Sequence, residues 1–456
     1  MTLLNIPGPK SKEYVKKGFK VFPGGKKEEA ALAEAARAGL SPPPRFVVAK
    51  AESSWLIDVD GNKFIDFSSG WATNNVGNVH PRVLEAVIAA MKQYGFCYNS
   101  AIRYELAEKL AEISPNKKLT RVSYEISGTE AAEAAVSYAI TYKQRPLIIC
   151  FHSQYHGDSI AARVLGTIGG NRKRGFEAWQ GGVLYAPYPY SFRTPLDVTP
   201  EEYADYCLWY IEELILGQGN IAGIVSPDRV AAILFEPVMA EGGNWIPPDN
   251  FITGLKKLAN KYDWLLICDE VLSGFGRTGK MWAIEHWGID IDLMPIAKGM
   301  TGGLMPIAAV MGSEEVMAET HAYSGSTFAG HPAGCAATLK TIELMEEQRL
   351  PERAASLGEK ALKRMKEWVE DYKIVDDARG LGLLLGISIV NAETKALDIN
   401  VARTVYYEAI RNGVHPIWDN EPHIRLYPAL TIEEELLDKG LTAVEEAIKK
   451  VEKRNV

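Results

Sequence analysis

Short, β-branched apolar runs alternating with amphipathic stretches constrain this chain more than any other feature. The runs Leu147–Phe151, Ala231–Phe235, Leu265–Cys268 and Ile307–Met311 hold four or five residues each and carry no charged position. That is the pattern of strands buried on both faces. Between them lie stretches such as Arg82–Tyr94 and Glu201–Leu214, whose apolar residues recur at helical spacing. The alternation calls for an α/β fold, a mainly parallel sheet with helices on both faces.

Two segments obey other patterns. WLIDVDGNKFIDF, residues 55 to 67, alternates apolar and polar positions around an Asp-Gly turn and reads as a hairpin. After His331 come long helical stretches, His331–Glu347 and Glu352–Glu370, then a strand-like Leu383–Val390, a helix near Val401–Arg411 and a last helix from Ile432. These suggest a smaller α+β unit built from the chain ends. Residues 1–75 are expected to form its N-terminal part, 76–332 a large domain and 333–456 its C-terminal part, a division in keeping with 456 residues.

Charge and composition narrow the function. Lys and Arg number 50 against 58 Asp and Glu, a net charge of -8 with no basic stripe, which argues against nucleic acid as a partner. No window approaches the roughly 20 uninterrupted apolar residues of a membrane helix, and Met1–Leu40 lacks the pattern of a secretory leader. Cys97, Cys150, Cys207, Cys268 and Cys335 are scattered, odd in number and never paired as Cys-x-x-Cys. They read as reduced thiols of a cytoplasmic protein.

Chemistry concentrates in a few places. In LLICDEVLSGFGRTGK, residues 265 to 280, an apolar strand ends at Cys268 and Asp269 follows at once, where α/β sheets present groups to ligands. In LMPIAKGMTGG, Lys298 stands between an apolar strand and a Gly-rich turn. Alone, Asp269 reads as a turn cap and Lys298 as a surface charge. Together they form the pair that pyridoxal chemistry requires, an amine to join the cofactor and an acid to keep its ring nitrogen protonated. The segment VSYEISGTEAAEAAVSYA sets Ser127-Gly128-Thr129 between a strand and a helix, suited either to an ordinary N-cap or to a phosphate. A metal site built on His152 and His156 lacks a third ligand at suitable spacing, so no metal is expected.

In these motifs the chain resembles the class III, ornithine- and 4-aminobutyrate-type, pyridoxal-phosphate-dependent aminotransferases, and the resemblance covers nearly its whole length. The Asp-Glu-Val…Gly-Phe-Gly-Arg-Thr-Gly segment, the lysine in Ala-Lys-Gly and the Thr-Phe…Gly-His-Pro segment stand in the family's order. The resemblance implies an aspartate-aminotransferase-type fold, pyridoxal 5'-phosphate as cofactor, and a homodimer or homotetramer whose subunits share active sites. It implies Lys298 as the Schiff-base lysine and Asp269 as the ring-nitrogen partner. It also implies Gly128 and Thr129 at the phosphate, Thr327 reaching the phosphate of the neighbouring subunit, and Tyr155 and Val271 on the two ring faces. Glu236 is expected nearby, either beside the site or as a structural ion-pair partner.

For the substrate, Arg425 matches the family's carboxylate-gripping arginine, against the plainer reading of an exposed sheet-edge arginine. Glu241 matches the acid that pairs with that arginine in ornithine- and aminobutyrate-type members. Leu272 stands where those members carry a glutamine, and Trp71 resembles the bulky pocket residue of enzymes acting on amines and ω-amino acids with pyruvate. The expectation is an aminotransferase moving an amino group from an ω-amino acid or primary amine to a 2-oxo acid. The alternatives are an amino-acid racemase or epimerase and a 4-aminobutyrate/2-oxoglutarate-type aminotransferase.

Overall fold

A computed structural model describes residues 4, 6–37, 44–168, 175–176, 178, 180–190, 192–194, 197–219, 222–320 and 325–455. Parts of the N-terminal stretch, residues 1–3, 5 and 38–43, lie outside them. The expected hairpin is present as β2 (Trp55–Asp58) and β3 (Lys63–Asp66), joined to β1 (Val48–Glu52) in an antiparallel ribbon.

Among the described residues seven strands then build the central sheet: β4 (Arg121–Glu125), β5 (Leu147–Phe151), β6 (Val183–Ala186), β7 (Val230–Phe235), β8 (Leu265–Cys268), β9 (Leu293–Ile296) and β10 (Ala308–Gly312). Their order is β4-β10-β9-β8-β7-β5-β6. All run in one direction except β10, which is antiparallel to both neighbours. The sheet is buried on both faces. Ile149, Phe151, Ile233, Phe235, Leu266 and Ile296 pack into the larger core, while Ile148, Cys150, Leu234, Ile267 and Val310 pack into a second one. Period-2 alternation of strand side chains assigns them so. The helix Gly128–Lys143 lies on this second face. It presents Ala131, Ala134, Ala135 and Ala139, small enough to bring it close to the strands.

The C-terminal part adds β11 (Val375–Leu381), β12 (Leu384–Ile389), β13 (Val414–His415) and β14 (His423–Leu426). Strands β11, β12 and β14 form an antiparallel sheet, and β13 crosses back to pair in parallel with β3. The N-terminal ribbon is thereby completed by the C-terminal segment. Among the described residues no helix is long and apolar enough to cross a membrane.

One side chain ties the three sheets together. Arg277 is 0% exposed. Its Nη1 donates to the carbonyls of Leu383 (3.1 Å) and Pro428 (2.6 Å), and its Nη2 to Asn75 Oδ1 (2.5 Å). Burial pushes its pKa down to about 9, against the opposing pull of Tyr427 and Asp66.

Candidate active site

The C-terminal ends of the parallel strands open on one cavity of about 450 Å³. Glu236 follows β7, Asp269 follows β8, Lys298 lies two residues past β9, and the Tyr155-His156-Gly157 turn follows β5. This edge is where open α/β sheets bind ligands. Gly128, Thr129, Tyr155, Val271, Glu236, Glu241, Asp269, Leu272 and Lys298 all line the cavity.

Lys298 opens a short 3-10 turn with φ +43°, a backbone state that L-residues hold only where the surroundings enforce it. Its amine makes no hydrogen bond among the described residues. Burial pushes its pKa down, against the opposing pull of Glu241, Asp269 and Glu236. The amine is thus biased toward the neutral, nucleophilic form.

Asp269 continues the β8 ladder through its N–H to Phe235 O (2.8 Å). Its Oδ1 accepts the N–H of Val271 (3.0 Å), and its Oδ2 lies 2.6 Å from Nδ1 of His156. His156 is buried, and its Nε2 has no partner among the described residues. Sequence reasoning weighs His156 only as a metal ligand with His152 and as the neighbour of Tyr155, and it misses the place of His156 beside Asp269. Glu236 is held by the N–H groups of Tyr155 (2.9 Å) and Ala240 (3.0 Å). Burial pushes its carboxyl up to about 7.

Ser127 caps the helix Gly128–Lys143, its Oγ accepting from the N–H of Glu130 (3.2 Å). The other first-turn amides of a helix have no intrahelical acceptor, and the helix dipole favours an anion there. A Cβ on Gly128 would stand 2.7 Å from Val271 Cγ1, so only glycine lets this helix start and the Val271 wall meet. Gly157 has φ +137°, and a Cβ there would strike the side chain of Thr129.

At the far wall Arg425, on β14, is 1% exposed and its Nη1 donates to Glu241 Oε2 at 3.0 Å. Arg425 does stand on an edge strand, but it is buried, and the reading of it as exposed is thereby corrected. Burial works against the guanidinium's charge, but Tyr427 and Glu241 outweigh it and its pKa is raised. Glu241 lines the cavity while Arg425 stands behind it, and the Trp71 ring lies over the guanidinium with its centroid 5.1 Å from Cζ. Thr327 is elsewhere, in an exposed turn beside a depression of about 470 Å³ lined by Tyr98, Arg103, Tyr104, Tyr124 and Ser326.

Comparison with known proteins agrees with this geometry. The sequence profile of the family described as Aminotransferase class-III matches residues 36–448. A leucine/methionine racemase of Thermococcus litoralis is 34% identical over 423 residues, 90% of this chain and 92% of the relative. A probable 4-aminobutyrate aminotransferase of Bacillus subtilis is 32% identical over 419 residues, 90% of this chain and 94% of the relative. Among solved structures, an amine transaminase from an uncultivated Pseudomonas species, in its PLP-bound form, superimposes with a TM-score of 0.83 at 26% identity, covering 89% of this chain and 95% of that one.

Proposed function

This chain belongs to the class-III aminotransferases, and from that premise we propose that it moves an amino group from an ω-amino acid or primary amine to a 2-oxo acid such as pyruvate. Its cofactor is pyridoxal 5'-phosphate. The residues present fit that group: a half-buried lysine amine without a partner among the described residues, a carboxylate fixed by His156 and Val271, and a helix N-terminus at Gly128 and Thr129 share one cavity. When bound, pyridoxal phosphate supplies the aldehyde carbon that takes up an amine and a ring that accepts electrons freed at the substrate carbon.

In this reading Lys298 holds the cofactor. With its amine free, Lys298 would be the group in the cavity able to take and return the proton of the substrate carbon. Asp269, with His156 behind it, holds a proton at the ring nitrogen. Gly128 and Thr129 receive the phosphate, Tyr155 and Val271 bound the ring, and Thr327 reaches the phosphate of the neighbouring subunit. The exposed aromatics Phe96, Tyr98, Tyr104 and Phe328 gather near Thr327 and support a dimeric, shared site. The free cysteines accord with a cytoplasmic setting.

The Arg425–Glu241 pair carries the choice of substrates. With Glu241 on the guanidinium, the wall is neutral and tolerates an amine donor without an α-carboxylate. With Glu241 turned away, Arg425 offers a two-pronged grip for the carboxylate of a 2-oxo acid. One site thus serves two unlike partners in turn.

A racemase or epimerase reading has behind it the extent of identity with two racemases and an epimerase. Incubating the holoenzyme with one donor and no acceptor separates the two. Release of carbonyl product up to one equivalent per site, from β-alanine, 4-aminobutyrate or a simple amine, supports transamination and names the donor. No such release, with solvent deuterium entering an α-amino acid as it loses optical purity, replaces it with racemisation.

A further inference from the structure

Trp71 stands on a turn that the backbone resists. Ser69, Gly70, Trp71 and Ala72 have φ of +44°, +58°, +61° and +62°, so four consecutive residues trace a left-handed path and only one is glycine. Crowding between Cβ and the following carbonyl disfavours that region for each of the other three. Such backbone persists only where its surroundings over-determine it.

The over-determining group is Asp66, 1% exposed. Its Oδ1 accepts from Ser68 N–H (2.9 Å), Ser68 Oγ–H (2.7 Å) and Ser69 N–H (2.9 Å), and its Oδ2 from Asn78 Nδ2 (2.9 Å). Burial alone would raise the Asp66 pKa, but the nearby His415 ring, 4.0 Å away, and hydrogen bonds from Asn78 and Ser68 hold it below the usual carboxylate range. Three of its bonds land where the left-handed path begins, and the N–H groups of Ala72 and Thr73 close it onto Ser68 O (3.0 Å) and Ser69 O (2.9 Å). The outcome is the placement of Trp71 over Arg425.

We propose that Asp66 is a positioning residue for substrate selectivity: by clamping the Ser69–Ala72 turn it fixes Trp71 over Arg425, and so sets how well that guanidinium takes a substrate carboxylate. The proposal rests on the reading of Arg425 as the carboxylate site, and not on whether the reaction is transamination or racemisation.

Asp66→Asn tests it, because it turns the charge-assisted bonds to Ser68 and Ser69 into weaker neutral ones and sets an amide N–H₂ against the Asn78 donor. On the holoenzyme three quantities are measured: inhibition by propionate, a carboxylate with no reacting group; KM for pyruvate; and KM for propylamine, which has no carboxylate. Loss of a partly buried cation–π contact predicts roughly tenfold weaker propionate inhibition and roughly tenfold higher pyruvate KM. Propylamine KM should stay within about twofold, the scatter of an uncoupled site. Adding Ser69→Gly, which accepts positive φ freely, should restore both carboxylate constants. In a Trp71→Ala background, Asp66→Asn should change neither further.

Equal losses for propylamine and pyruvate, no rescue by Ser69→Gly, or full additivity with Trp71→Ala would each overturn the proposal. Should Asp66→Asn not fold, Ser68→Ala removes one of the three bonds and must show the same pattern at smaller size; an unchanged ratio there overturns it. If propionate fails to compete in the wild-type protein, the reading of Arg425 itself is lost. If propionate competes but ignores Asp66→Asn, only the role of Asp66 falls.

Discussion

Arg425 and Glu241 are locked together inside the protein, Nη1 to Oε2 at 3.0 Å, with the two residues 1% and 8% exposed. Removing one partner of such a pair strands the other, at a cost of about 3–5 kcal/mol. Glu241→Gln keeps the side chain's length and leaves Arg425 uncompensated. It should lower the melting temperature, lower KM for pyruvate several-fold and raise KM for a carboxylate-free amine. Steady-state kinetics and thermal melts on one preparation check this; an unchanged KM ratio would rule out the role of the Arg425–Glu241 pair in choosing substrates.

Lys298→Ala removes both the attachment point and the proton carrier. Turnover should fall by about 10⁴-fold or more, while the protein remains folded and retains pyridoxal phosphate weakly through Gly128, Thr129 and Asp269. Product assays with cofactor absorbance after gel filtration decide it, and a wild-type rate would sink the assignment.

His156 sits 2.6 Å from Asp269, so that the carboxylate is held on one side by the ring and on the other by the Val271 N–H. His156→Phe fills the same space without the polar contact. The expected result is a fall in kcat of about 10- to 100-fold, the scale of losing one charge-assisted hydrogen bond, with little change in KM. A loss of donor KM alone would place His156 outside the chemistry.

Glu270 is 0% exposed, accepts from Ser273 Oγ–H (2.6 Å) and Ile284 N–H (2.7 Å), and burial pushes its carboxyl up to about 7 from 4.5. The unfolded chain releases this proton near 4.5 and the folded one near 7. Its contribution to stability is therefore full below 4.5 and is lost as pH rises to 7, an effect of about 3 kcal/mol. In denaturant titrations across that window, Glu270→Gln should flatten the decline. An undiminished slope would show that Glu270 is ionised in the native protein.

Lys298 and Asp269 are legible in the sequence because each directly follows or closely trails an apolar run, so strand and crevice position are read together. The hairpin at Trp55–Phe67 is legible from its Asp-Gly turn, and the long C-terminal helices from their periodicity, with Pro332–Glu347 and Leu350–Asp371 starting within two residues of the reading. What is not legible depends on tertiary neighbours. The pairing of His156 with Asp269 joins two strand ends far apart in the chain. The reversal of β10 leaves no mark, since a strand buried on both faces has the same composition in either direction. The left-handed path at Ser69–Ala72 has a single glycine to announce it, and its cause is an aspartate that reads as one more hairpin position.

Arg277 carries a buried cation whose hydrogen bonds go to two carbonyls and an amide, one each from the turn after β11, the segment after β14 and the loop after β3. Neutral acceptors hold such a charge only at hydrogen-bond range, and a slip of about 1 Å between sheets would leave it stranded. Swinging one sheet away from the others to admit a substrate is therefore ruled out as a cheap motion. The entrance then behaves as a fixed aperture whose bore is set by rotamers at lining side chains such as Glu241 and Tyr155. Bulky donors should then be excluded by diameter, and larger ones admitted by trimming a side chain at the rim, with no need to loosen the frame.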